Sequence, residues 1–261
     1  MMTNKDKPEG RMKAKLLSFQ QGMSHLPKSL AKTLGDRIKL SEPVVRLEKT
    51  NSGWSVISEA SSYQCNQVVL ATPAQAVAKL MTPFDEAASE ALQAIPYLPV
   101  AVVHLAFPRE AVTHPLDGFG CLIPRKEQIQ TLGSLFSSTL FPGRCGEQQV
   151  LITCFIGGAT FNQIRDWQDQ QVLDQVLADV KALLDTKGDP VFSNLVRWNK
   201  AIPQYTMGHF DRLQIIEDAV NKLGGLHTRA NWRDGISVPD CIQNAQQLGR
   251  TLASANVQHQ A

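Results

Sequence analysis

Four strand-like runs follow one another within residues 95–160: YLPVAVVHLAF, GFGCLIP, TLGSLFSSTLF and QVLITCFIGG. They are rich in Val, Ile, Leu and Phe, and polar turns carrying Gly and Pro separate them, which is the pattern of strands. Short connections return a chain beside itself, so the runs predict one large antiparallel sheet. The layer that covers it comes next. In DQQVLDQVLADVKALLD, residues 169–185, Val172, Leu173, Val176, Leu177, Val180, Leu183 and Leu184 fall on one helical stripe. The expectation is a helix laid on one face of the sheet. The other face is left for a further layer or a large apolar ligand.

The flanking segments have a different texture. Residues 22–34 place Met23, Leu26, Leu30 and Leu34 at helical spacing, with Gly35 as a C-terminal stop. IKLSEPVVRLEK, GWSVIS and NQVVLAT then predict a small antiparallel sheet, and the last of these leads through Thr72-Pro73 into the helix PAQAVAKLM. After VFSNLVRWNK, the stretch AIPQYTMGH reads as a Pro-stiffened loop with an exposed Tyr205 and His209. A helix (FDRLQIIEDAVNKL), a strand (GGLHTRA) and a final helix (PDCIQNAQQLGRTL) follow. This order predicts an α/β (α+β) chain of two interleaved domains. Residues 13–94 and 201–261 build one, residues 95–200 the other, and the last βα unit packs back on the first block.

Composition narrows the function classes. A chain that is 43% hydrophobic and 19% charged can bury a core. A net charge of +2 gives no support to nucleic-acid binding, and the cluster Lys5, Lys7, Arg11, Lys13, Lys15 reads as a solvated end. The five cysteines (Cys65, Cys121, Cys145, Cys154, Cys241) form no C-x-x-C pair, and the six histidines, His259 among them, show no metal-ligand spacing. Reduced thiols in a cytoplasmic setting are the expectation. The N-terminus has no secretory apolar core, and no run approaches the ~18–20 apolar residues of a spanning helix. Peripheral contact with a membrane is compatible with this. No Gly-x-Ser-x-Gly elbow supports a hydrolase. GFGCLI, the nearest approach to a dinucleotide fingerprint, lacks the third glycine and the following helix, and reads as a strand.

The strongest local signal is NWRDGISVPDCI, residues 231–242: a glycine turn, a short apolar step, a proline and then an apolar helical pattern. The first backbone N–H groups of a helix have no partner within it and carry partial positive charge. Such a start can face an anion or a polar ring edge. It can equally be an ordinary capped helix, with Asp240 competing for the same donors. Trp198 and Tyr205 read equally as packing residues, and His209 as a satisfied core or loop histidine.

Taken together, SFQQGMSHLPKSLA, EPVVRLE, VVLATPAQAVAKLM, VAVVHLAFPRE, GFGCLIP, TLGSLFSSTLFPGRC, ITCFIGGAT, RWNKAIPQYTMGH and DGISVPDCI resemble, in order and spacing, the C-terminal half of the FAD-dependent protoporphyrinogen oxidases, within the monoamine-oxidase-like flavoproteins. The resemblance runs from about Ser18 to Ala253. It implies part of a Rossmann-like FAD-binding domain interleaved with a substrate domain of antiparallel sheet and helices. It implies flavin contacts from Val44, Trp198, Ile236, Ser237 and Val238, and tetrapyrrole contacts from Leu122, Leu135 and Phe155. No catalytic side chain and no metal are implied, since the cofactor carries the chemistry. The implied partners are a porphyrinogen and molecular oxygen or another electron acceptor, with a homodimer or an N-terminal half absent from this chain as protein partner, at the inner membrane's periphery. The family's strand, G-x-G-x-x-G turn and helix do not occur in these residues, so the chain is expected to be a C-terminal portion that does not retain FAD by itself. Gln21-Gly22 and Ala230 stand where the family usually has Gly-Gly and Gly. The alternatives carried forward are a coproporphyrinogen III oxidase or another amine-oxidase-like flavoenzyme, and a non-catalytic remnant that binds porphyrin or a partner.

Overall fold

The computed structural model describes residues 16–159 and 161–258, the last four by backbone alone. The N-terminal basic cluster and His259 lie outside the described residues. The chain divides into two units, up to Glu42 and from Pro43 onward. The first carries α1 (His25–Leu34). This helix starts three residues later than the apolar spacing suggests. Gly22, at φ +82°, instead closes a turn by donating its N–H to the Phe19 carbonyl at 2.9 Å. Gly35 ends the helix at φ 55°, and none of the helix's residues is buried within its unit.

The second unit runs β1 (Val44–Thr50), β2 (Gly53–Ser58), β3 (Ser62–Cys65), β4 (Val68–Leu70), α2 (Ala74–Met81), α3 (Glu86–Gln93), β5 (Tyr97–Pro108), β6 (Gly120–Leu122), β7 (Thr131–Phe136), α4 (Ser137–Leu140) and β8 (Gln149–Gly157). It continues with α5 (Asp169–Leu184), β9 (Phe192–Pro203), α6 (His209–Leu223), β10 (Leu226–Thr228) and α7 (Val238–Gln258). Among the described residues these form three sheets: β1-β2-β3, the pair β10-β4, and the five-stranded β6-β7-β8-β5-β9.

The structure departs from the sequence pattern at three places. NQVVLAT does not complete the small antiparallel sheet; β3, with sequence SYQC, does. β3 is an edge strand exposed along most of its length, so it carries no apolar alternation. β4 instead pairs in parallel with β10, Val68 opposite Leu226 and Leu70 opposite Thr228. Second, TLGSLFSSTLF is a strand only as far as Phe136. The hydroxyl of Ser138 accepts the Leu151 N–H at 3.0 Å, so a side chain replaces the ladder there. Third, the predicted loop AIP is the end of β9, where Pro203 pairs with Tyr97 on an edge strand, a place that tolerates proline.

The large sheet buries one face against α5. Ala101, Val103, Leu105 and Phe107 of β5 and Ile152, Cys154 and Ile156 of β8 share a core with Val172, Val176, Val180 and Leu184. One buried carboxylate pins the two layers: Asp179 of α5 accepts the Thr131 N–H at 2.8 Å and its hydroxyl at 2.6 Å, and Gln175 Nε2 donates to its other oxygen at 2.8 Å. A second core draws on distant parts of the chain. Trp54, Leu70, Met81, Leu92 and Tyr97 pack with Ile216, Leu226 and Trp232. The indole N–H of Trp54 donates to the Gly224 carbonyl and that of Trp232 to the Thr72 carbonyl, each at 3.0 Å. Two fully buried indoles, each with its donor satisfied, fix the returning segment to the first block.

Candidate functional site

Antiparallel partners put their side chains on the same face, so the ladder register tells which residues share the side away from α5. One cross-strand row runs Leu122, Gly133, Phe155, Val102 and Val196, from β6 to β9. The next row runs Gly120, Leu135, Thr153, His104 and Asn194. On the other side of the apolar row, Gly157, Val100 and Trp198 are opposite one another. The three residues expected to hold a tetrapyrrole, Leu122, Leu135 and Phe155, thus lie on one face in adjacent rows, about 7 Å apart at the strand rise. Trp198, expected to meet the flavin, is on that face too, beyond the apolar row.

This face is apolar and open. Leu122 is 90% exposed and Trp198 57%, while Phe155, Leu135 and Val102 are half-buried. Gly133 leaves a gap in the middle of the row. A Cβ there would come within 2.5 Å of the Cys121 carbonyl and 3.2 Å of Leu122 Cδ2. The surface is therefore flat where a side chain would otherwise stand.

Polar groups enter at one end. His104 Nδ1 and Thr153 Oγ1 share a hydrogen bond of 3.0 Å, and Ser137 Oγ lies 2.7 Å from the same hydroxyl. Burial pushes the His104 imidazole below its ordinary pKa, which favours the neutral ring. Sequence reading passed over all three residues. A signal did exist: within VAVVHLAF, His104 falls in phase with Val100 and Val102, on the side opposite the core-facing valines and leucines.

The other expected flavin contacts cluster around the start of α7. Ile236 and Val238 are exposed and flank Ser237. The Ser237 hydroxyl accepts the Asp240 N–H at 3.2 Å and donates to the Asp240 carboxylate at 2.5 Å. Ser237, rather than Asp240, is therefore the residue that caps the helix. Gly235 makes this possible: it sits at φ +117°, and a Cβ there would approach the Asp240 carboxylate to 2.7 Å. Tyr205 ties the segment to the end of β9. Its hydroxyl donates to the Asn231 carbonyl at 2.6 Å and accepts the Gly235 N–H at 3.0 Å. Asn244 Nδ2 donates to the Asp234 carbonyl at 3.0 Å. Val44 stands apart as the first residue of β1, in a different sheet.

His209 departs from the exposed-loop reading and matches the core reading in burial, though not in being satisfied. It is only 3% exposed and stacks on Tyr205, ring centroids 4.3 Å apart. The Trp232 backbone approaches its ring, but among the described residues neither nitrogen has a hydrogen-bond partner. Burial first, and the charge of Arg212 second, push its pKa below the usual imidazole value. Among the described residues no group of three or more His, Cys, Asp or Glu side chains could hold a metal. No helix among them is long and apolar enough to cross a membrane.

A family profile described as flavin containing amine oxidoreductase matches residues 5–247. The chain is 32% identical over 261 residues to the chloroplastic protoporphyrinogen oxidase of Oryza sativa subsp. japonica, covering 94% of this chain and 48% of that protein. It is 35% identical over 242 residues to protoporphyrinogen oxidase 2 of Arabidopsis thaliana, covering 86% and 47%. A solved structure from Exiguobacterium sp. 255-15 superposes with a TM-score of 0.79 at 20% identity, covering 94% of this chain and 53% of the other. The chain spans about half the length of the curated relatives it matches.

Proposed function

Because the chain belongs to the flavin-containing amine oxidoreductase family, we propose that it serves the FAD-dependent oxidation of protoporphyrinogen IX to protoporphyrin IX. The observation that carries this reading is the open row Leu122, Gly133, Phe155, Val102, Val196. It offers a flat apolar floor, of the kind a large flat ring can cover and desolvate. Trp198 stands next to that floor on the same face.

The residues expected at the flavin fit a flat cofactor. Trp198, Ile236 and Val238 are exposed and apolar or aromatic, as suits packing against a ring. The Ser237 hydroxyl is committed to Asp240, so in this reading Ser237 meets the cofactor through its backbone. Val44 supplies a further backbone contact from β1. When bound, FAD would take up two electrons at a time, so that three rounds, each followed by reoxidation with oxygen as the proposed acceptor, remove the six hydrogens that separate protoporphyrinogen IX from protoporphyrin IX. The chain's own part is to bind and orient. Leu122, Leu135 and Phe155 hold the macrocycle and exclude water, Tyr205 and Gly235 set the position of the α7 start, and no side chain need carry a proton. A homodimer and peripheral contact with the inner membrane from the cytoplasmic side belong to the same reading. The exposed Met207 and Phe210, at the start of α6, are apolar surface such a contact would use.

The test is a titration of the chain with protoporphyrin IX, followed at the Soret band. Saturable binding is expected, weakened about tenfold or more in Phe155→Ala, because removing a half-buried aromatic from the floor costs roughly 1.5–3 kcal/mol. Absence of saturable binding, or equal affinity in the variant, would contradict the reading. With FAD in excess, added protoporphyrinogen should gain porphyrin fluorescence faster than in a protein-free control. Porphyrin binding without that gain, at FAD concentrations where flavin is shown to be bound, selects the non-catalytic alternative.

A further inference from the structure

The open face of the large sheet has a polar end. His104 is a polar side chain in an outward row whose neighbours toward Trp198 are Val102 and Val100. Its ring is not free to turn. Nδ1 is held by the buried Thr153 hydroxyl, which is held in turn by Ser137. Nε2 has no protein partner among the described residues, and it is not among the side-chain atoms sealed from solvent. It is the one ring nitrogen left for a ligand. Asn194, exposed, lies opposite His104 in the same row. Four residues along β5, at Val100, the row reaches Trp198, about 13 Å away at the strand rise. The face thus has an aromatic end, an apolar floor and a polar stop.

We propose that His104, steadied by Thr153 and Ser137, is the subsite for a carboxylate side arm of the tetrapyrrole, and that it turns the carboxylated edge of the macrocycle away from Trp198. The proposal rests on the tetrapyrrole reading above. A carboxylate only accepts hydrogen bonds. It therefore selects the arrangement in which Ser137 donates to Thr153, Thr153 donates to Nδ1, and the ring proton sits outward on Nε2. A site built to donate to a charged group discriminates against a ligand that lacks it, because the ring N–H is covered and left with a poorer partner. Substrate choice between tetrapyrroles then depends on which side arms reach this end of the floor.

The experiment compares protoporphyrin IX with its dimethyl ester, titrated into the chain in the same detergent and followed at the Soret band. The wild type should bind the diacid about tenfold more tightly than the ester, the size expected of one hydrogen bond to a charged group. In His104→Phe that preference should fall to about twofold. His104→Gln, which keeps a donor, should recover part of it, and Thr153→Val, which frees the ring to turn, should lose part of it. Should His104→Phe fail to fold, Thr153→Val decides. Equal binding of the two porphyrins by the wild type, or an undiminished preference in the variants, overturns the subsite. Binding of neither porphyrin by the wild type overturns the tetrapyrrole reading itself, and the subsite with it.

Discussion

At the start of α6, the His209 imidazole lies in the interior with both nitrogens lacking a hydrogen bond, stacked on Tyr205. An unpartnered buried imidazole folds most easily without its charge. The consequence for stability has a definite sign. The folded-state pKa is lowered, so below the ordinary value of about 6.5 the unfolded chain takes up a proton that the folded one refuses. Stability is fully present above that value and drains away as pH falls from it through the lower, folded value. His104 and His227, lowered chiefly by burial, contribute in the same direction. The melting temperature should therefore fall between pH 7 and pH 5.5, and His209→Phe should show a visibly shallower fall. A pH profile identical to that of the wild type would contradict this account. AIPQYTMGH left His209 open between a core and a loop position, because its Pro, Gly and polar residues signal a loop. Stacking on Tyr205 and burial near Trp232 are tertiary facts that local pattern does not encode. His104 was legible, since its phase along β5 follows from alternation alone. The roles of Tyr205 and Ser237 follow only once β9 and α7 are brought together.

At the scale of elements, the segments with a strong period were readable and those without one were not. The stripe from Val172 to Leu184 gave α5 and its buried face, and β5 and β8 followed from long apolar runs. β3 escaped because its outer-edge residues are polar, and α3 because EAASEALQ buries mostly small residues that carry little hydrophobic signal. The parallel pairing of β4 with β10 joins residues about 160 positions apart, which no local pattern announces. The link between β7 and α5 was equally hidden, since Asp179 looks like a solvent-facing helix residue until Thr131 is placed beside it. Its removal should be costly. Asp179→Ala leaves the Thr131 N–H, its hydroxyl and Gln175 without their acceptor, a loss of about 2–4 kcal/mol. Asp179→Asn, which keeps one acceptor oxygen, should lose less. Denaturant midpoints of the two variants check the order; equal losses, or a change of only a few tenths of a kcal/mol in Asp179→Ala, would speak against the pin.

For the second unit as a whole, two cores divide the labour. One gathers β2, β4, α2, α3, α6 and β10 around Trp54 and Trp232, and positions the α7 start. The other sets α5 under the large sheet and leaves the opposite face of that sheet uncovered by it. In the proposed function this opposite face takes the tetrapyrrole. Hydrogen exchange of backbone amides, compared with and without saturating protoporphyrin IX, reads this out, because β6 and β9 are the edge strands of that sheet and edge backbone is expected to open readily in the free chain. Added protection is expected around residues 119–122, in β7 and β8, and along β9 near Val196 and Trp198, with β1, β2 and β3 unchanged. Protection concentrated in β1 to β3 or on α5, or none in β6 and β9 at saturation, would contradict it.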